Sequence, residues 1–140
     1  MNKLLLLFIT TILIASCSKD DNTEKKNSII GTWENIGSES KQYYRFNNNG
    51  RLITSSDISF NTTKEQDYMI EGDNLTIVEH FRVGNSTEVE YGQVDDVYEI
   101  NFVDEDNLKL IGISRDTDHP ELKPVIGGKP EDLYLKKTPY

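Results

Sequence analysis

A single cysteine, Cys17, leaves this chain of 140 residues with no internal disulfide. Its stability must come from apolar packing and backbone hydrogen bonds, and the chain is long enough to bury one core without staples. Two histidines leave few general bases. G-x-S-x-G, H-E-x-x-H and a Gly-rich phosphate loop are all missing, and no second Cys offers a thiol nucleophile. An enzyme is therefore not expected. His80 stands alone in an alternating run, which makes no zinc site. Asp104-Glu105-Asp106-Asn107-Leu108 fails the calcium-loop pattern, with Leu at the fifth position and no Gly at the sixth. Asp116, Asp118, His119 and Glu121 cluster on a Pro-containing stretch, where such side chains are ordinarily solvated. No metal and no cofactor are expected. Acidic residues outnumber basic ones, 24 to 15, and Lys and Arg nowhere gather into a patch that could track a phosphate backbone, which excludes nucleic acid.

Long apolar runs are also scarce. The one present, Leu4 to Ile14, falls short of the ~20 residues a membrane-spanning helix needs. Lys3 precedes it, and the small residues Ala15-Ser16 follow it, as in a cleavable export leader. Ile14-Ala15-Ser16-Cys17 resembles the lipobox of bacterial lipoproteins, in which the thiol becomes a lipid thioether before cleavage. The resemblance implies a signal peptide over residues 1–16 and a mature chain beginning at a triacylated (palmitate-type) Cys17. The protein would then be held at the membrane by its acyl chains, since an acidic surface repels anionic lipid. The expected location is the cell envelope, on the outer membrane, at its periplasmic or surface face.

Residues 18–28 read S-K-D-D-N-T-E-K-K-N-S, with no apolar side chain to offset ordering entropy, so 17–28 is expected to be a flexible polar tether. Ser18-Lys19-Asp20-Asp21 also resembles the acidic surface-export signal of some Gram-negative lipoproteins. A plain solvated linker explains the same residues, and both readings stand.

From Ile29 the pattern alternates. Tyr98, Ile100 and Phe102 alternate with Glu99 and Asn101, Val89 and Tyr91 with Glu88 and Glu90, and Leu108 and Leu110 flank Lys109. Period two with β-branched and aromatic residues marks half-buried strands. Turn chemistry at Asn47-Asn48-Asn49-Gly50, Glu71-Gly72-Asp73-Asn74 and Asp104-Glu105-Asp106-Asn107 separates the runs. The spacing predicts strands near 30–36, 41–47, 51–57, 66–71, 74–82, 87–93, 97–103, 107–114 and 133–138. Together they imply an all-β antiparallel meander over residues 29–140, closed as a barrel of about eight strands or folded as a sandwich. The predicted inward set is Trp33, Tyr44, Phe46, Tyr68, Ile70, Leu75, Ile77, Tyr98, Ile100, Phe102, Leu108, Leu110 and Leu135. Carboxylate pairs such as Asp95-Asp96 read as a solvated face. Arg115 to Asp132, with Pro120, Pro124, Pro130 and Gly127-Gly128, reads as a long structureless connection: a lid, a binding loop or a mobile excursion.

Ile30-Gly31-Thr32-Trp33, the aromatic strand ending Phe46 to Gly50, the hairpin Gly72-Asp73-Asn74-Leu75-Thr76 and the late Asp106-Asn107-Leu108-Lys109-Leu110 strand resemble, in order, the small lipocalin-like domains of bacterial lipoproteins. The resemblance implies a β-barrel with the Trp plugging one end, and a small apolar ligand held inside. Trp33, Tyr44, Phe46, Tyr68, Tyr98 and Phe102 are then the candidate barrel-lining residues. The chain departs from lipocalins proper at Thr117-Asp118, which no Tyr follows in place. It also offers Lys136 and Lys137 where they carry a basic residue, usually Arg, packed on the Trp. The competing expectation is a non-catalytic interaction lipoprotein, its barrel filled by its own side chains and its loops meeting another envelope protein.

The leader reading has a direct test. Intact-mass spectrometry is expected to give a chain starting at a triacylated Cys17, and Cys17→Ala should yield a soluble or uncleaved form. An unmodified chain starting elsewhere would refute the lipobox.

Overall fold

Eight antiparallel strands carry out the predicted alternation: β1 (Gly31–Asn35), β2 (Tyr43–Phe46), β3 (Arg51–Ser55), β4 (Thr63–Glu71), β5 (Asn74–Gly84), β6 (Val89–Phe102), β7 (Asn107–Thr117) and β8 (Leu133–Lys137). The structure, a computed structural model, describes residues 28–84, 89–119 and 128–139, with only the backbone of Val89 and Glu90. The leader, Cys17, the tether up to Asn27, residues 85–88 (Glu88 of the alternating run among them), residues 120–127 and Tyr140 lie outside the described residues. Each strand pairs with its neighbour in sequence, and β1 pairs with β8 through Trp33↔Lys137, Glu34↔Lys136 and Asn35↔Leu135, so the sheet closes on itself. Among the described residues no helix is long and apolar enough to cross a membrane.

The up-and-down path gives the barrel two unlike ends. One end carries Ser28 to Ile30, which lead into β1, together with the tight turns β2–β3, β4–β5 and β6–β7; we call it the hairpin end. The other carries the longer connections. Gly50 shows why the first turn needs glycine: its φ is +77°, and its carbonyl accepts the Tyr68 N–H at 2.8 Å. A Cβ there would sit 3.2 Å from the Tyr68 carbonyl oxygen.

Three boundaries differ from the sequence reading by three residues or more. The runs predicted at 87–93 and 97–103 are one strand, β6, because Asp95-Asp96 does not break it. Asp96 faces inward, where Arg115 grips it through Nε and through Nη2 at 2.8 Å, while Asp95 accepts the Gln93 amide at 2.7 Å. With these partners the pair that read as a solvated face sits inside one continuous strand, Asp96 toward the lumen and Asp95 on the outer face. Strand β4 begins at Thr63 rather than 66. Strand β7 runs on to Thr117, so the connection read as starting at Arg115 begins later, and Arg115 is a strand residue. A bulge makes this possible: Val97 faces Ser114 and Tyr98 faces Gly112, leaving Ile113 as the extra residue, 47% exposed. The bulge shifts the parity of β7, so Leu108 and Leu110 point inward before it and Arg115 and Thr117 after it.

The barrel is packed through its middle. Trp33, Phe46, Leu52, Leu75, Leu108, Leu110 and Leu135 are essentially without solvent contact, and Phe46 meets Tyr68 edge-on with ring centroids 5.2 Å apart. Of the predicted inward set, Ile100 and Phe102 are only partly buried, and Ile70 is 43% exposed. Ile70 shares its parity with buried Tyr68 but lies a turn nearer the hairpin end, where the strands run out past the core. Ile29, Tyr43, Leu52 and Val78 are buried without having been singled out.

Truncating Trp33 to Ala should cost about 3–5 kcal/mol, the range for a fully buried aromatic. The same truncation at Phe102 should cost clearly less. Urea unfolding of the two variants checks this, and equal losses would contradict the burial described.

Candidate functional site

The candidate lining residues separate by position along the barrel axis. Trp33 and Phe46 belong to the solid middle. Tyr68 lies beside them, its hydroxyl donating to the Asn47 carbonyl in the β2–β3 turn. Tyr44 and Tyr98 face a small space toward the loop end, and Phe102 faces a larger one at the hairpin end. They do not enclose one common cavity. Cys17 lies outside the described residues.

At the hairpin end a cleft of about 580 Å³ is lined by Ser28, Ile29, Ile30, Ile70, Gly72, Asp73, Ile100 and Phe102. Its floor is set by the entry of the chain: the Trp33 indole N–H donates to the Ile29 carbonyl at 2.7 Å, folding the segment across the barrel and burying Ile29. Lys137 brings its ammonium over the Trp33 ring, 5.5 Å from the centroid, and is the basic residue on the Trp that the sequence left between Lys136 and Lys137. On the far wall the Ile100 N–H donates to the Asp73 carbonyl at 2.7 Å, fixing the β4–β5 turn against β6. Gly72 takes φ +62° in that turn and meets nothing within 4 Å where a Cβ would be, so the cleft is open there.

Toward the loop end the lumen is polar. A space of about 150 Å³ is lined from six strands or their edges, with Gln42, Thr54, Lys64, Gln66 and Asp96 beside Tyr44 and Tyr98. Charges here answer one another. Arg115 holds Asp96, and the Lys64 ammonium meets Glu79. Burial pushes the Tyr44 phenol up to about 12, and its hydroxyl donates to Gln42 Oε1 at 2.8 Å. Burial raises the Tyr98 phenol as well, helped by the negative charge of Asp96.

Beside this space the segment before β8 is seated on β7. Pro130 is buried, and its carbonyl oxygen would stand 1.9 Å from a Cβ on Gly112, so only glycine admits it. The Gly112 N–H donates to Asp132 Oδ1 at 3.0 Å, and this bond, then Lys109, holds the Asp132 carboxyl below its ordinary range. Arg115 donates its N–H to the Gly128 carbonyl at 2.9 Å. Residues 128–132 are therefore strapped to the barrel.

Among the described residues no three His, Cys, Asp or Glu side chains gather as metal ligands. Sequence reasoning missed Gln42, Thr54, Lys64 and Gln66 in the lumen, and Ile29 and Asp73 at the cleft. Thr54 was within reach, because it pairs with Tyr44 across the β2–β3 hairpin. The polar residues of β4 carried no periodic signal to find. Compared with known proteins, no protein family, curated protein or solved structure matches the chain.

The phenols make the fold sensitive to alkali. Folded and unfolded chains both keep the Tyr44 proton below pH 10, the ordinary value. Above it the unfolded chain releases the proton and the folded one holds it up to about 12, so stability is expected to fall as pH rises through that window. Urea midpoints measured across the window should drop, and Tyr44→Phe should flatten the drop in part. An unchanged slope in the variant would show that Tyr44 titrates as an exposed phenol.

Proposed function

We propose that this barrel is a lipocalin-like, lipid-anchored protein of the outer membrane, at its periplasmic or surface face, that binds a small apolar ligand and catalyses no reaction. The observation that carries the reading is the cleft at the hairpin end. Its volume of about 580 Å³ falls within the ~300–1,000 Å³ of small-molecule sites, and its walls join Ile29, Ile30, Ile70, Ile100 and Phe102 to Ser28, Gly72 and Asp73. Eight strands in simple up-and-down order, with a lysine on the first-strand Trp, agree with the lipocalin-like resemblance. The ligand sits at a different level from the one the resemblance implies. An eight-stranded barrel is just wide enough to be filled or to hold one small ligand, and here the middle is filled. The apolar space lies beyond the Trp33 plug, not above it.

The filled middle also favours a second reading, an interaction lipoprotein whose loops meet another envelope protein. Native mass spectrometry of protein purified from its own host separates the two. A stoichiometric small apolar molecule, distinct from the Cys17 acyl chains and lost in Phe102→Ala, is expected. An empty barrel that repeatedly co-purifies with one envelope protein would replace the carrier reading by the interaction reading.

A further inference from the structure

We infer that the hairpin-end cleft takes the acyl chain of a membrane lipid with an uncharged headgroup, and that Asp73 sets this preference by repelling a free carboxylate. The inference rests on the reading of the cleft as a ligand site, and it adds the ligand's class and the residue that selects it. Four isoleucines and one ring make up most of the walls, and among the described residues no lining side chain is a buried polar group without a partner, which suits a polymethylene chain. Among the described residues that line the cleft, Asp73 carries the one charge, and no lysine or arginine is present to receive an anion. Lys137, whose ammonium lies over the Trp33 ring, and its β8 neighbour Lys136 are both at this end, and neither lines the cleft.

The turns on either side of the cleft are acidic, while the cations of this end, Lys136 and Lys137 on β8 and Arg51 on β3, stand on other strands. Glu71 flanks Asp73 in the β4–β5 turn, and the β6–β7 turn adds Asp104, Glu105 and Asp106. Asp73 cannot turn away by a backbone movement, because its carbonyl is held by the Ile100 N–H. An ionised carboxylate accepts hydrogen bonds and donates none, so it pairs with hydroxyl groups and not with a second carboxylate. A glycerol-type headgroup supplies such hydroxyls, whereas a fatty acid would bring two negative charges together at the rim. Even in a water-like dielectric, charges a few ångström apart shift affinity by roughly fivefold.

The test uses the full chain in phosphatidylcholine vesicles. A diazirine-bearing monoacylglycerol and the fatty acid of equal chain length are offered separately, at a pH where the acid is ionised, and cross-linked peptides are mapped by mass spectrometry. The monoacylglycerol should label the peptides holding Ile70, Ile100 and Phe102 at least several-fold more than the fatty acid does. Asp73→Asn should bring the two probes level, and Asp73→Lys should reverse the order. Asp73 is exposed in a turn, so unchanged circular dichroism will show that both variants fold. Cleft labelling with no preference, or a preference untouched by Asp73→Asn, would overturn the role of Asp73 and leave the cleft as a site. No labelling there by either probe would overturn the site itself. Labelling that appears only in Cys17→Ala would mean that the protein's own anchor fills the cleft, and would overturn a free lipid as its occupant.

Discussion

Everything in this barrel depends on the pairing of its first and last strands. A meander of eight strands left open would present two rows of unpaired backbone groups, one on β1 and one on β8, and edges of that kind recruit other chains. The contact that removes them is short, three residue pairs from Trp33↔Lys137 to Asn35↔Leu135, with Thr138 reaching the Thr32 carbonyl at 2.9 Å just beyond. Leu135 is buried among the core side chains beside Trp33, so closing the sheet and filling the interior are one event. With no disulfide available, the hydrogen bonds of β1 and β8 and the core they enclose must hold without a covalent link between them.

Most of the architecture was legible in the residues because apolar side chains recur at every second position and turn residues interrupt them. Tyr98, Ile100 and Phe102 point one way, as do Leu108 and Leu110, and the Asn-rich and Asp-rich turns fall where the chain reverses. What periodicity could not supply was the effect of polar partners across the lumen. Asp95-Asp96 looks like a break until Arg115 stands opposite Asp96, and Arg115 looks like loop until the extra residue at Ile113 turns it inward. Each half of that pair was misread for want of the other. A contact between residues 96 and 115 is a fact of folding, which neither local run contains.

The site followed the same logic. The aromatic candidates were all placed on barrel strands, yet they serve three different levels of the structure. Side-chain parity tells which face a residue joins and is silent on its height along the axis. That height comes from the stagger between strands, set here by the long β5–β6 pairing and by the bulge. The cleft depends further on Ile29, which precedes the first strand and is drawn inward by a single hydrogen bond from Trp33. Nothing in an isolated dipeptide of isoleucines distinguishes the buried one from its 39% exposed neighbour, Ile30.

The chain enters β1 and leaves β8 at the same end of the barrel, and this has a mechanical meaning. Ladder hydrogen bonds lie across the strands. A load applied between Ser28 and a partner held at the opposite end would run along β1 and strain its bonds to β2 and β8 together, as shear. A load applied between Ser28 and Thr138 would pull on two neighbouring strands at their shared mouth and open them one bond at a time. Under the proposed N-terminal anchoring, grip at the far loops would be the strong direction, and grip at the C-terminal strand the direction in which the barrel unzips.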